Sequence, residues 1–219
     1  MIVPKIIILL SHVPILLATL YALYCYKSLG KELKVFSWFI FFSGFIQMGS
    51  LLLWFLRRNN MPLLHVYVGI GFVLLAWFYT TLLHKFMPTK IIWLTAILFL
   101  LYTVLNALYF QDIFTFCSYA LTAESVLIII LAIFTFTVFL NRIVKASLWG
   151  DSKSLNWINA GLFIYYSSTL LISFFGTAIV HRIQGMIALY TWVLHSFFSI
   201  IMYTCFIVSL WKRSKKPML

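Results

Sequence analysis

Seven apolar runs, at approximately 5–26, 35–56, 62–84, 90–110, 118–140, 157–177 and 186–211, organise the chain. Each is close to the ~20 residues an α-helix needs to cross a bilayer core. None shows the two-residue alternation of a barrel strand, and a tilted strand would need only about 9–11 residues. The gaps carry charges or helix breakers: Lys27 to Lys34, Arg57 to Pro62, Lys85 to Lys90, Gln111 to Cys117, Asn141 to Asn156 and Thr177 to Gly185. Pro62 and Pro88 open segments, where a missing N–H costs little, whereas Pro14 lies inside the first run and predicts a kink there. The first run is read as helix 1 rather than a cleaved leader. Only Lys5 precedes its apolar stretch, which is longer than the roughly 7–15 residues of a signal-peptide core. Tyr24 ahead of Cys25 argues against lipoprotein processing. The expected fold is all-α: residues 1–219 as one bundle of seven transmembrane helices in the plasma (inner) membrane.

The basic residues set an orientation. With the N-terminus outside, the cytoplasmic segments hold Lys27, Lys31, Lys34, Lys85, Lys90, Arg142, Lys145, Lys153, Lys212, Arg213, Lys215 and Lys216, which is 12 of the 16. Lys5, Arg57, Arg58 and Arg182 fall outside. This is the positive-inside bias, and it places the C-terminus in the cytoplasm. Composition agrees: 64% of residues are hydrophobic and 9% charged, against roughly 25% charged in a soluble domain. The net charge of +12 does not point to nucleic acid, because it sits in short loops between apolar runs. Anionic lipid at the cytoplasmic leaflet is its expected partner, above all at the WKRSKKP tail. Cys25, Cys117 and Cys205 form no CxxC or disulfide framework and read as small packing residues.

Polar residues at membrane depth carry the candidate chemistry, because burial in lipid has to be compensated. Glu124 is the only acidic residue inside a run, and His12, His65 and His195 join it. At 1.5 Å per residue, His12 lies roughly 10 Å into helix 1, His65 roughly 5 Å into helix 3, Glu124 roughly 9 Å into helix 5 and His195 roughly 14 Å into helix 7. Asn106 near the end of helix 4, Gln47 on helix 2, and Tyr67, Thr122 and Tyr190 share this outer layer. If their faces turn inward they form a polar cavity open to the outside. If they do not, they are separate interhelical hydrogen bonds of about 0.6 kcal/mol each. In the inner half, Asn156, Asn159, Tyr165, Tyr166, Ser167 and Ser168 on helix 6 read as packing, as do Gly161 and Ser168, seven apart on one face. His195, Ser199 and Tyr203 form a stripe down helix 7. His84 reads as interfacial and His181 as a loop residue.

Several chemistries are disfavoured. No lysine lies mid-membrane, so a retinal Schiff base has no anchor. There is no phosphate-binding loop and no HExxH. His12, His65, His195 and Glu124 are the candidate metal ligands, and a histidine pair among them is a candidate haem site. An intramembrane hydrolase would want a second acid or an activated nucleophile, and Ser125 adjoins Glu124 on a different helical face.

Four stretches carry a resemblance: His65-Val66-Tyr67; Tyr119-Ala120-Leu121-Thr122-Ala123-Glu124-Ser125; Trp157-Ile158-Asn159-Ala160-Gly161; and Trp192-Val193-Leu194-His195. In them the chain resembles a group of small bacterial seven-helix membrane proteins. It is also similar, at fold level only, to the seven-helix input regions of bacterial sensor kinases. The group often carries an acid a turn and a half past the first histidine. The position falls at about Gly71 in this chain, a departure from the group's pattern that argues against a second carboxylate and any two-acid chemistry.

These readings give a membrane sensor or receptor-like module that binds a small ligand or ion through Glu124, His65, His195, His12, Asn106, Gln47 and Tyr67. It would signal to a cytoplasmic partner or through a homo-oligomer, by binding rather than catalysis. The alternatives are a proton-coupled small-solute transporter relaying through Glu124 and the histidines, and a metal-dependent membrane enzyme.

Overall fold

The computed structural model of the protein describes residues 6–7, 9–142, 152–182 and 186–212. Helices dominate and no strand occurs among the described residues. The helices are α1 (His12–Cys25), α2 (Lys31–Phe55), α3 (Met61–Leu83), α4 (Thr89–Leu105), α5 (Ser118–Arg142), α6 (Ser152–Arg182) and α7 (Met186–Trp211). A 3-10 turn at Tyr26–Ser28 follows α1, and a π turn at Asn106–Phe110 ends α4. Six helices are long and apolar enough to cross a membrane: Lys31–Phe55, Met61–Leu83, Thr89–Phe110, Ser118–Leu140, Lys153–Phe175 and Tyr190–Trp211. The chain is a helical multi-pass membrane protein. Its outward-facing leucines and isoleucines agree: on α4 alone Leu94, Ile97, Leu98 and Leu101 are exposed, and water would not tolerate so large an apolar patch.

The first helix departs from the sequence reading. At 14 residues α1 is shorter than a full span, although residues 6–7 and 9–10 ahead of it are also helical. The break falls at a turn on Ser11, upstream of the proline. Pro14 therefore sits in the first turn of α1, where its missing N–H is harmless. Helix α6 runs to Arg182, so His181 is helical rather than in a loop. Residues 143–151, 183–185 and 213–219 lie outside the described residues, and most of the WKRSKKP tail falls among them.

Sequential helices pack as neighbours, and α1 closes the ring against α7. Helix α4 packs chiefly on α3 and stands at the periphery; only 28% of its span is buried, against 61% for α3. The core fills the end of the bundle that holds the C-termini of α1, α3 and α7. There Phe36 packs on Phe39, Phe78 and Phe206 with ring centroids 5.7, 5.0 and 4.8 Å apart, and all four are fully buried. Polar groups in this half are paired. Tyr79 OH donates to Asn159 Oδ1 at 3.1 Å, Asn159 Nδ2 donates to the Ala132 carbonyl at 3.0 Å, and Ser154 Oγ donates to the Ser209 carbonyl at 2.6 Å. Asn159 thus packs as its position predicts.

The opposite end carries the α2–α3 and α4–α5 loops, which are bound to each other. Helix α2 ends in a pair of hydrogen bonds, Arg58 N–H to Leu53 O at 2.8 Å and Arg57 N–H to Trp54 O at 3.0 Å. This is the Schellman pattern, and it places Arg57 at φ 54°, the left-handed position glycine favours. Arg57→Gly is expected to hold or raise the thermal unfolding temperature in detergent, whereas Arg57→Val should cost about 1–2 kcal/mol. The reverse order would refute the cap. Beyond it, Asn59 Nδ2 donates to the Phe114 carbonyl at 2.8 Å and ties the two loops together.

Candidate functional site

A cavity of about 390 Å³ lies between these loops and the aromatic core. That size falls in the range of small-molecule sites. Residues from α1, α2, α3, α5, α6 and α7 wall it, and none from α4 does. Trp54, one wall residue near the loop end, is 52% exposed. Near that end Asn60 Nδ2 donates to Ser50 Oγ at 2.6 Å.

Five of the seven sequence-derived ligand residues meet here: His12, Gln47, Tyr67, Glu124 and His195. They converge because each sits about the same distance into its helix and turns toward the ring axis. Tyr67 stacks on Phe42 at 6.2 Å. Glu124 is 1% exposed. Its Oε1 accepts a hydrogen bond from Tyr166 OH at 3.1 Å, and its Oε2 is buried with no partner. His195 Nε2 shares a hydrogen bond with Tyr165 OH at 3.0 Å, and the direction depends on the imidazole tautomer.

His65 and Asn106 do not join them. His65 Nε2 bonds the Thr115 carbonyl at 3.1 Å; a carbonyl only accepts, so that nitrogen carries the hydrogen. Asn106 Nδ2 donates to Gln111 Oε1 at 3.1 Å, and Gln111 Nε2 in turn donates to Ser118 Oγ at 3.0 Å. Both residues hold the α4–α5 loop. The sequence reading put them at the right depth and on the wrong face. The hydrogen-bond donor to Glu124 is a tyrosine, Tyr166. Nor do the four candidate metal ligands assemble: among the described residues no three His, Cys, Asp or Glu side chains group to hold a metal ion.

Five aromatic wall residues, Trp54 among them, were missed. Tyr165 and Tyr166 were assigned to inner-half packing, yet their phenols end at His195 and Glu124. Phe116, in the α4–α5 loop, packs on Trp192 of α7 at 5.6 Å, and Trp192 lies 6.0 Å from His195. The available signal was chemical: a buried tyrosine or tryptophan needs a partner for its polar tip, and two adjacent tyrosines at mid-span on a helix facing Glu124 satisfy that need.

Below the cavity, one turn further along each helix, stand Ser43 of α2 and Tyr203 of α7. Their hydroxyls are buried and adjoin each other and that of Tyr67. Phe39 and Phe206 follow immediately, with centroids 6.4 Å apart. The layers are therefore loops, polar cavity, a buried hydroxyl pair and an aromatic plug. No protein-family model, no curated protein and no solved structure matches the chain, so its function has to be argued from this cavity.

Proposed function

We propose that the chain is a receptor-like membrane module in the plasma (inner) membrane that takes a small ligand into this cavity from outside and passes a helix shift to a cytoplasmic partner. In this reading α1 is the seventh span, the loop end carrying Asn59 and Phe114 faces out, and the basic C-terminal tail meets anionic lipid and the partner inside. One observation carries it. A cavity walled by six helices holds Glu124 with one carboxyl oxygen left unbonded, and leaving a buried polar group so is costly unless something occupies it. The plug of Phe36, Phe39, Phe78 and Phe206 supports a one-sided site. Helices walling a shared cavity are also placed to convert occupancy into relative motion, the differential contact that a signalling change requires.

A proton-coupled transporter is the second reading. Its specific support is the buried hydroxyl pair, Ser43 and Tyr203, which continues from Tyr67 beyond the cavity.

Access separates the two. The native cysteines are buried, at 2%, 0% and 8% exposure for Cys25, Cys117 and Cys205. Burial pushes the Cys117 thiol up to about 12, and the nearby Glu124 carboxylate adds to it, so little thiolate exists at pH 8. A cysteine placed at Ser196, in the cavity wall, then reports alone. A membrane-impermeant thiosulfonate should label Ser196→Cys in intact cells and leave it unlabelled in inside-out vesicles. Labelling from both sides favours the transporter. Labelling only from the cytoplasmic side reverses the orientation, and labelling from neither side removes the open cavity.

A further inference from the structure

The ligand's chemistry follows from what the cavity offers and withholds; this step rests on the cavity being a binding site. We infer that it takes a small organic cation: a protonated amine carrying an apolar, ring-sized body.

Four observations combine. Glu124 presents one oxygen satisfied by Tyr166 and one with no partner. Among the described residues no lysine or arginine lines the wall, so an anion entering would meet a carboxylate with no opposing cation among them. No cluster of three metal-binding side chains is present among the described residues, so a bare divalent ion would lack the several oxygen or nitrogen ligands it needs. The wall is aromatic: Trp54, Tyr67, Phe116, Tyr165, Tyr166 and Trp192 all contribute.

Each ligand class meets these features differently. A neutral apolar molecule would fill the volume and leave Glu124 Oε2 as it is, with no return for its burial. A carboxylate or phosphate would add a like charge in a medium of low dielectric. An ammonium group donates to Oε2, neutralises the carboxylate as an ion pair within the cavity, and finds ring faces able to hold a cation. Its apolar body then occupies the rest of the wall, which is chiefly Leu, Ile and aromatic surface. The same reasoning sets the limit on polarity. Beyond Glu124 the wall offers neutral hydrogen-bonding groups (serines, Thr169, Gln47, Asn60, the histidines and the tyrosines) but, among the described residues, no lysine or arginine, which suits one cationic head rather than a zwitterion whose carboxylate would find no cation.

The test uses the full-length protein in nanodiscs and an amine-free buffer. Matched probes differ only in the head group: phenethylamine and tryptamine, the alcohols 2-phenylethanol and tryptophol, and the acids phenylacetate and indole-3-acetate. Calorimetric titration should show each amine binding at least tenfold more tightly than its alcohol, with the acids weakest. In Glu124→Gln the amine should lose that tenfold preference over its alcohol. Equal binding of amine and alcohol in the wild-type protein overturns the cationic ligand and leaves the cavity reading standing. So does a preference that survives Glu124→Gln. If all six fail to bind, the inference falls, and labelling of Ser196→Cys decides separately whether the cavity exists as an open site. The wild-type comparison stands even if Glu124→Gln does not fold.

Discussion

Gly161→Val should abolish a stable, monodisperse protein, while Gly71→Ala should leave it intact. Gly161 lies on α6 against α7. A Cβ there would stand 2.8 Å from Cys205 Cβ, 3.2 Å from the Met202 carbonyl oxygen and 3.4 Å from a Phe206 ring carbon. The first two belong to the helix itself rather than to the end of a flexible side chain, so relief requires α6 and α7 to move apart. That seam also carries the Ser154–Ser209 bond and the Tyr165–His195 bond, which separation would break. Overpacking costs typically about 1–3 kcal/mol for extra methylenes, and a branched valine with two broken bonds should reach about 3 kcal/mol or more. Small residues that let helices approach closely are the membrane's main packing device. Gly71 provides the contrast, because a Cβ there would find Phe39, Glu124 and Tyr67 atoms at 3.8, 3.9 and 4.0 Å, which is ordinary contact. Fluorescence-detected size exclusion and thermal unfolding of both variants decide the matter. Similar profiles for the two would show that the α6–α7 seam adapts.

Six long helices and the approximate depth of Glu124 were legible because both follow from one-dimensional quantities: the length of an apolar run and a rise of 1.5 Å per residue. His12, Gln47 and His195 were found the same way. Rotation about each helix axis was not legible. His65 and Tyr67 are two residues apart on α3, so they point to opposite sides; only Tyr67 reaches the cavity, while His65 turns to the α4–α5 loop. Asn106 has the right depth on a helix that does not wall the cavity at all, and it is paired within its own loop by the π turn that brings Gln111 back to it. Reading depth from backbone positions also misplaced Tyr165 and Tyr166, whose long phenols carry their polar ends away from their Cα atoms and into the site. An acid at position 71 would have stood beside Glu124, since the Cβ position there is 3.9 Å from Oε1. With glycine in its place the carboxylate has a single partner, Tyr166.

That partnership yields the sharper result. Tyr166→Phe should destabilise the protein by about 1–3 kcal/mol, because Glu124 would then be buried with neither oxygen bonded. Glu124→Met alone strands the Tyr166 hydroxyl instead, at 3% exposure. The double variant Glu124→Met/Tyr166→Phe removes both polar groups and keeps their approximate shape, and such replacements are often neutral or stabilising. It is therefore expected to unfold at a higher temperature than either single variant, with a coupling energy of about 0.5–3 kcal/mol. Glu124→Met combined with His65→Ala should instead add to within about 0.5 kcal/mol, since His65 bonds a loop carbonyl rather than the carboxylate. Thermal unfolding of these five variants in one detergent measures both cycles. If the Glu124–Tyr166 cycle is additive, the 3.1 Å contact has no energetic content and the carboxylate is satisfied some other way. If the double variant matches or exceeds the wild-type protein in stability, the chain keeps a carboxylate at a stability cost. Such a cost is expected where a residue serves a ligand rather than the fold.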